Sequence, residues 1–398
     1  MRQFKWESKF LDFVSKYYCW IFIIVSTAAS VWIRIRFLGA ESLDMNIFLL
    51  PWYNEIKEGG GLMALNHQVG NYGILYQTLI ALMTYLPIEP VAAYKIYSIL
   101  CDYLMSVAVA GIVFGITQNK KQALISYVVV IMFPTVILNS SAWGQCDSMY
   151  ALFCVLTVMC LLNKKYTFAF IAYGVAFALK LQAVFLLPFI IVLYLRQKEF
   201  SVVNLIWIPV TMIILSIGGI LRGRSIFAFL DIYVQQVDTY ARISNHYPTF
   251  WNFVMEDWSM SWYDELSVLC AFSAIVILSG GVFLLKRDRV YTKQQLLFLA
   301  FFLTFTAVFF MPNMHERYSY LYMILGIIVC FVDWKTIPAF IALTVVDMQT
   351  YAYFLFESGP MAWQMLVLIN LAAWIYYFVR LRKVLNPAGT GEIVEAAV

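Results

Sequence analysis

The sequence predicts one all-α polytopic membrane domain with about twelve transmembrane helices, from its composition and the lengths of its apolar segments. Of the 398 residues, 63% are hydrophobic and 13% are charged, whereas soluble proteins average roughly 25% charged residues. No segment between the apolar runs reaches the ~100 residues of a usual soluble domain. We therefore predict a single domain over residues 1–385, followed by a disordered cytoplasmic tail at 386–398.

The transmembrane helices are predicted from segment length, because a bilayer core of about 30 Å requires ~20 apolar residues in a helix. Several of the candidate segments are shorter than this. The predicted spans are residues 19–37, 93–117, 123–138, 148–162, 167–179, 183–195, 202–221, 266–285, 296–311, 318–332, 337–356 and 362–379.

Residues 74–86 form an apolar segment of about 13 residues, a length typical of interfacial or re-entrant segments. If this segment lies in the interface, the lysine pairs at 120–121 and 164–165 and the other basic clusters fall on one side of the membrane, as the positive-inside rule requires. Both termini are then cytoplasmic. Residues 38–92 form a large first extracytoplasmic loop that contains interfacial helices, and residues 222–264 form a second outer loop.

Asp44 lies in a polar, glycine-rich stretch at 41–76, immediately after the first apolar segment. No second aspartate stands two residues further on, and hard divalent cations prefer several oxygen ligands. We therefore predict no metal site, although a divalent metal stays open. A lone carboxylate suits a general base. The alternative is a solvated loop acid, which is the commoner situation.

The stretch from Trp143 to Ser148 places an aromatic residue, a glycine and polar side chains between two apolar segments. Trp143, Gln145 and Asp147 are candidates for a binding rim. The alternative is a helix cap, in which Asp147 or Ser148 satisfies free backbone N–H groups.

His315, Glu316, Arg317 and Tyr318 follow a Met-Pro pair at the outer end of a predicted helix. The guanidinium fork of Arg317 can bind two phosphate oxygens. The stretch is not a zinc-binding H-E-x-x-H motif, because Ser319 stands where the second histidine is required.

Other polar residues interrupt apolar segments. A lysine at the depth of Lys180, which is followed by Gln182, needs an anion or a carbonyl partner. Asp102 and Asp347 are either buried hydrogen-bonded groups or part of a polar cavity. Asn139 begins an Asn-Ser-Ser triplet that matches the glycosylation acceptor pattern, which is frequent by chance.

The order of these residues along the chain resembles that found in the GT-C superfamily of polyprenyl-phosphate-sugar-dependent glycosyltransferases. The chain is similar in particular to bacterial relatives of the second mannosyltransferase of GPI-anchor synthesis. The resemblance covers nearly the whole chain, and its Trp-Gly-Gln-x-Asp-Ser and His-Glu-Arg-Tyr stretches are specific together and weak singly. The residues that carry it are Asp44, Trp52, Gly59, Gly60, Gly61, Asn71, Tyr72, Asp102, Trp143, Gly144, Gln145, Asp147, Lys180, Gln182, His315, Glu316, Arg317 and Tyr318.

The resemblance implies a GT-C-like helical bundle and a metal-independent, inverting hexosyltransferase with Asp44 as the catalytic residue. The donor is a mannose, glucose or galactose on polyprenyl phosphate, held by His315, Arg317 and Lys180. The acceptor is a cell-surface glycan or a lipid-linked precursor. The partners are thus the bilayer, the donor and the acceptor, with no separate cofactor and no nucleic acid, and the oligomeric state stays open. The remaining residues, which bind substrate or shape the site, are Trp52, Tyr72, Asp102, Trp143, Gln145, Asp147, Gln182, Glu316 and Tyr318.

The implied location is a bacterial plasma membrane, with the active site facing outside. Two other functions stay open. A flippase or transporter of lipid-linked glycans would need charged residues through both halves of the membrane, whereas the polar loops here gather on one face. A surface-polysaccharide polymerase would have an arginine-rich late outer loop. Residues 222–264 are a candidate for it, although only Arg222, Arg224 and Arg242 are basic there.

Overall fold

The computed structural model describes residues 4–230, 232, 243–253, 263–287, 289–359 and 361–386, and these residues are mostly helical. The tail at 387–398 and parts of the predicted second outer loop lie outside the described residues. The helices are α1 (Lys5–Ile35), α2 (Leu50–Glu58), α3 (Ile74–Met83), α4 (Pro90–Thr117), α5 (Lys120–Met132), α6 (Pro134–Ile137), α7 (Asp147–Leu162), α8 (Tyr166–Leu179), α9 (Leu187–Gln197), α10 (Trp207–Leu215), α11 (Ile217–Ile220), α12 (Tyr263–Leu284), α13 (Lys293–Phe310), α14 (Tyr320–Val332), α15 (Ile337–Phe356) and α16 (Trp363–Leu385).

Among the described residues, six helices are long and apolar enough to cross a membrane: α1, α4, α12, α13, α15 and α16. The helices α5 and α6 add a seventh if they are one span bent by 47°. The chain is thus all-α and has the helices of a multi-pass membrane protein, as predicted. The other predicted spans coincide with helices of 10–17 residues, so the total of twelve stays a prediction. The short helix α3 covers most of the segment predicted to be interfacial.

Three of the predicted spans do not form one uninterrupted α-helix. The segment at 183–195 begins in a 3₁₀ turn, Leu181–Leu186, and continues as α9. The segment at 123–138 is divided at Phe133, because Pro134 lacks an N–H and disfavours helical geometry in the preceding residue. Phe133 accordingly has φ −66° and ψ 127°. The helix α6 continues into a π-helical turn, Leu138–Trp143. The segment at 202–221 is divided into a 3₁₀ turn, α10 and α11.

The centre of the bundle is formed by α13 and α14. Residues 320–329 of α14 are all buried, and so is nearly all of α13. A capping box fixes the start of α13, where Thr292 and Gln295 each accept a hydrogen bond from the backbone N–H of the other. At the edge, α1 exposes large apolar side chains such as Trp20 and Ile24. Such side chains suit contact with lipid.

Two short strands join distant parts of the chain. The strand β1 (Ser244–Asn245) pairs in parallel with β2 (Met314–His315). The backbone N–H of Asn313 also donates to the carbonyl of Ile243 at 2.8 Å. This pairing holds residues 243–253 against the loop between α13 and α14, which carries the His-Glu-Arg-Tyr stretch.

Candidate active site

A cavity of about 460 Å³ is lined by the first loop, the break between α8 and α9, and the loop between α13 and α14. Ligand sites have volumes of about 300–1,000 Å³. Part of the wall is apolar and includes Phe48, Phe185 and Met311. The predicted site residues that line the cavity are Asp44, Trp52, Tyr72, Gln145, Lys180, Gln182, His315, Glu316, Arg317 and Tyr318.

Within the described part of the chain, the partners of Asp44 bind only one of its two carboxylate oxygens. Its Oδ2 accepts from Trp143 Nε1 at 2.9 Å and from Gln145 Nε2 at 2.6 Å, and Arg317 Nη1 lies 3.6 Å away. The described residues donate no hydrogen bond to Oδ1, and the side chain is 15% exposed. The carboxylate is thus held in one orientation with an oxygen available to a ligand, as a general base requires.

A glycine at 144 allows Trp143 and Gln145 to reach the same oxygen. Gly144 has a φ of +79°, which residues with a side chain rarely adopt. A Cβ added there would lie 2.6 Å from Met45 Cε. The Trp-Gly-Gln stretch therefore packs closely on the π-helical turn, Met45–Leu49, that follows Asp44.

Tyr72 orients the amide of Gln145. Its hydroxyl donates to Gln145 Oε1 at 3.4 Å, so the amide nitrogen is directed at Asp44. Burial raises the pKa of Tyr72 to about 12, against the opposing charge of Lys180, which lies 5.4 Å from its ring. Tyr72 is therefore a neutral hydrogen-bond donor at physiological pH.

Asp147 differs from Asp44 because both of its oxygens are occupied. The ammonium of Lys180 binds Oδ1, while Oδ2 accepts from Asn139 Nδ2 at 2.8 Å and lies 3.5 Å from Arg317 Nε. Its side chain is 1% exposed. Asp147 is thus the anion that Lys180 needs. The alternative of a helix cap is not seen, since no side chain caps α7.

Three carboxylates surround the guanidinium of Arg317. In addition to Asp44 and Asp147, Glu316 Oε1 lies 3.0 Å from Nη1. Burial alone would raise the pKa of Glu316, but the interaction with His315, whose Nδ1 lies 3.8 Å from Oε2, and the charge of Arg317 lower this pKa below its ordinary value of 4.5. Glu316 is therefore ionised, and Arg317 links three negative groups.

The three residues predicted to hold a phosphate differ in their access to the cavity. The side chain of His315 is 20% exposed and that of Arg317 is 14% exposed. The side chain of Lys180 is 1% exposed and is bound to Asp147. His315 and Arg317 can therefore contact a ligand directly, whereas Lys180 acts through Asp147.

One face of α15 binds both the start of α6 and the segment that carries the His-Glu-Arg-Tyr stretch. The carboxylate of Asp347 accepts hydrogen bonds from Thr135, at the start of α6, and from Ser319, at the start of α14. One turn later, Thr350 donates to the carbonyl of Glu316 at 3.0 Å. Asp347 is fully buried, so it is a buried hydrogen-bonded group and does not line the cavity.

Asp102 was predicted to bind substrate or shape the site, but it does not line the cavity. It is fully buried in α4, 3.1 Å from Arg34 Nη2. It also accepts hydrogen bonds from Ser140 at 2.6 Å and Tyr320 at 3.4 Å. Through Ser140 it supports the turn that carries Trp143. The sequence signal for this pair was Arg34 itself, a charged residue at the end of an apolar segment.

Sequence reasoning missed other polar residues of this region. Asn139 is fully buried and donates to Asp147, so its amide is not accessible for glycosylation in the fold. Asn245, His246 and Asn313 line the cavity. No local pattern marks these residues, because β1 and β2 come from distant parts of the chain.

The described residues include no group of three His, Cys, Asp or Glu side chains placed to hold one metal ion. No protein-family model and no curated protein matches the chain. The functional assignment therefore depends on the geometry of the cavity.

Proposed function

We propose that the protein is an integral membrane hexosyltransferase of the GT-C type. It transfers mannose, glucose or galactose from a polyprenyl-phosphate donor to a cell-surface glycan or its lipid-linked precursor, at the outer face of a bacterial plasma membrane. The observation that carries this proposal is the carboxylate of Asp44. Trp143 and Gln145 fix its Oδ2, which lies 3.6 Å from Arg317, and no described residue donates a hydrogen bond to its Oδ1.

In the proposed reaction Asp44 is the general base. Its open oxygen takes the proton of the acceptor hydroxyl, and the hydroxyl oxygen forms a bond to the anomeric carbon of the donor. The bond between that carbon and the phosphate oxygen breaks, and its electron pair leaves on the phosphate. Attack opposite to the phosphate inverts the anomeric configuration, and no metal takes part in this scheme.

Arg317 and His315 hold the departing phosphate in this scheme. Positioned charges directed at developing charge supply a large part of many enzymatic rate enhancements. Asp44 becomes neutral as it takes the proton, while the phosphate gains negative charge. The guanidinium of Arg317, 3.6 Å from Asp44, therefore exchanges one anionic partner for another during the reaction.

The contacts of charged residues outside the cavity give less support to a flippase or a polymerase. A flippase would need charged groups that continue the polar path, but Asp102 and Asp347 are fully buried and paired away from the cavity. A polymerase would use arginines of the second outer loop. Arg224 instead donates to side chains of the first loop, including Gln68 at 2.6 Å, and Arg242 lies outside the described residues.

The test is a transfer assay on the purified protein with polyprenyl-phosphate mannose, glucose and galactose. Asp44→Asn removes the base and keeps the shape of the side chain. We expect turnover to fall about 10³-fold, with the melting temperature unchanged.

Glu58→Gln is the matched control, since Glu58 is an exposed carboxylate of the same loop and does not line the cavity. This variant should keep wild-type turnover. Retained turnover in Asp44→Asn would remove Asp44 as the base. If the wild-type protein consumed none of the three donors, the proposed function would be wrong.

A further inference from the structure

Two aromatic side chains follow Asp44 along the cavity. Asp44, Phe48 and Trp52 are spaced four residues apart in one continuous helical run, a π-helical turn followed by α2. All three line the cavity. Eight residues of α-helix rise roughly 12 Å. The π-helical turn shortens this rise, but the distance is still longer than one pyranose ring.

The indole of Trp52 is held in place by glycine and by another aromatic ring. Gly70 has a φ of +68°, and a Cβ added to it would lie 2.4 Å from the indole. The ring of Tyr72 meets the indole edge-on at 5.4 Å, and Phe48 lies 6.0 Å away. The indole therefore rests on the backbone of the first loop, whereas a tryptophan of an interfacial belt needs no such support.

The loop beneath Trp52 is itself braced. Gln68 Nε2 donates to the carbonyls of Gly70 at 2.8 Å and Tyr72 at 3.0 Å. Arg224, from a distant part of the chain, donates to the other end of the same amide at 2.6 Å. Preorganisation of this kind reduces the entropy lost when a ligand is bound.

From this arrangement we infer that Trp52 is the platform for an oligosaccharide acceptor. The apolar C–H face of a pyranose ring packs on the indole, as flat apolar groups do on aromatic faces. The terminal ring lies beside Phe48 with its hydroxyl at Asp44, and the second ring lies on Trp52. This inference rests on the proposed function and names its acceptor as a carbohydrate of at least two rings, in preference to a peptide hydroxyl or a lipid alcohol.

The first test is a binding measurement that does not need catalysis. Saturation-transfer difference NMR is recorded on the full chain in lipid nanodiscs with methyl dihexosides, methyl hexosides and the acyclic polyol sorbitol. We expect saturation of the ring protons of a dihexoside in the wild type and in Asp44→Asn. The signal should fall at least about threefold in Trp52→Ala and return in part in Trp52→Phe, which keeps an aromatic face.

Trp334→Ala is the matched control, because Trp334 is 71% exposed and does not line the cavity. Its signal should equal that of the wild type. Equal signals in the wild type and Trp52→Ala, or equal saturation of sorbitol and the dihexoside, would overturn the inference.

The second test is kinetic. Trp52→Ala should raise the KM for a dihexoside acceptor about tenfold and leave the KM for the donor unchanged. Equal increases in the KM for the acceptor and the KM for the donor would overturn the inference. Turnover of a serine peptide equal to that of the dihexoside would also overturn it. If the dihexoside binds through Trp52 but no lipid-phosphate hexose is consumed, the transferase function fails while the sugar site stands.

Discussion

Two of the arginine–aspartate pairs in the described part of the chain differ in their surroundings. Arg34 and Asp102 lie 3.1 Å apart with side chains 2% and 0% exposed. Arg317 and Asp44 lie 3.6 Å apart with side chains 14% and 15% exposed. Both pairs belong to a membrane protein, where ionisable groups are expensive. Only the second lines a cavity.

The comparison indicates that the partners of each carboxylate oxygen distinguish a structural pair from a candidate site better than the presence of a charge does. The Asp102 carboxylate has partners on both oxygens, namely Arg34 and Ser140 on Oδ2 and Tyr320 on Oδ1. The Asp44 carboxylate has all its partners among the described residues on Oδ2. We therefore interpret the Arg34–Asp102 pair as structural and the Arg317–Asp44 pair as part of the candidate site.

The largest effect on stability is expected from Asp102→Ala. Removing one partner of a buried ion pair leaves an uncompensated charge, which costs roughly 3–5 kcal/mol. Thermal unfolding in detergent measures this loss. The double variant Arg34→Met with Asp102→Ala should recover most of the stability, because neither charge is then left alone. If Asp102→Ala were as stable as the wild type, the distinction between the two pairs would not hold.

A smaller effect is expected from Gly144→Ala, which acts on the open pair alone. The added Cβ meets Met45 and forces a positive φ on alanine, a strain of about 1–3 kcal/mol. We expect the turn that fixes Asp44 to shift and transfer activity to fall about tenfold. Gly115→Ala is the control, since nothing lies within 4 Å of its added Cβ. Because Gly115 lies in a helix, the control variant should be as stable as the wild type or slightly more stable. Equal activity in the two variants would count against the role of the turn.

The smallest effect is expected from Glu316→Gln, as a dependence of stability on pH. The folded-state pKa of Glu316 is lowered, so its ionised form stabilises the fold above the unfolded-state pKa. This contribution is lost as the pH falls through the folded-state pKa. The variant should be less stable than the wild type at neutral pH, and the two unfolding curves should converge in acid. A constant difference over the acid range would show that Glu316 is not ionised beside Arg317. Glu58→Gln should show no such convergence.

The helical architecture was largely predictable, because apolar segments long enough to span a bilayer depend on local composition. The breaks within the predicted helices were less predictable. Pro134 divides a segment that hydropathy alone treats as continuous, although the missing N–H of a proline was a usable signal. Whether the shorter helices span is a property of the membrane environment, which a local pattern does not define.

The candidate site was predictable as a set of residues but not as a network of contacts. Asp44, Gln145 and Arg317 were predicted from their motifs, and the structure brings them together. The partnership of Thr135 with Asp347 joins residues 212 positions apart. No short motif records such a pairing, and for the same reason the sequence leaves open whether Asp102 is a buried hydrogen-bonded group or part of a polar cavity.

The anchoring by α15 has a consequence for a protein in a fluid bilayer. Hydrophobic mismatch makes membrane helices tilt and slide by small amounts. Because the same stripe of α15 grips the start of α6 through Thr135 and the backbone of Glu316 through Thr350, its displacement carries both walls of the cavity in concert. We therefore expect the distance between Asp44 and Arg317 to change little with lipid thickness.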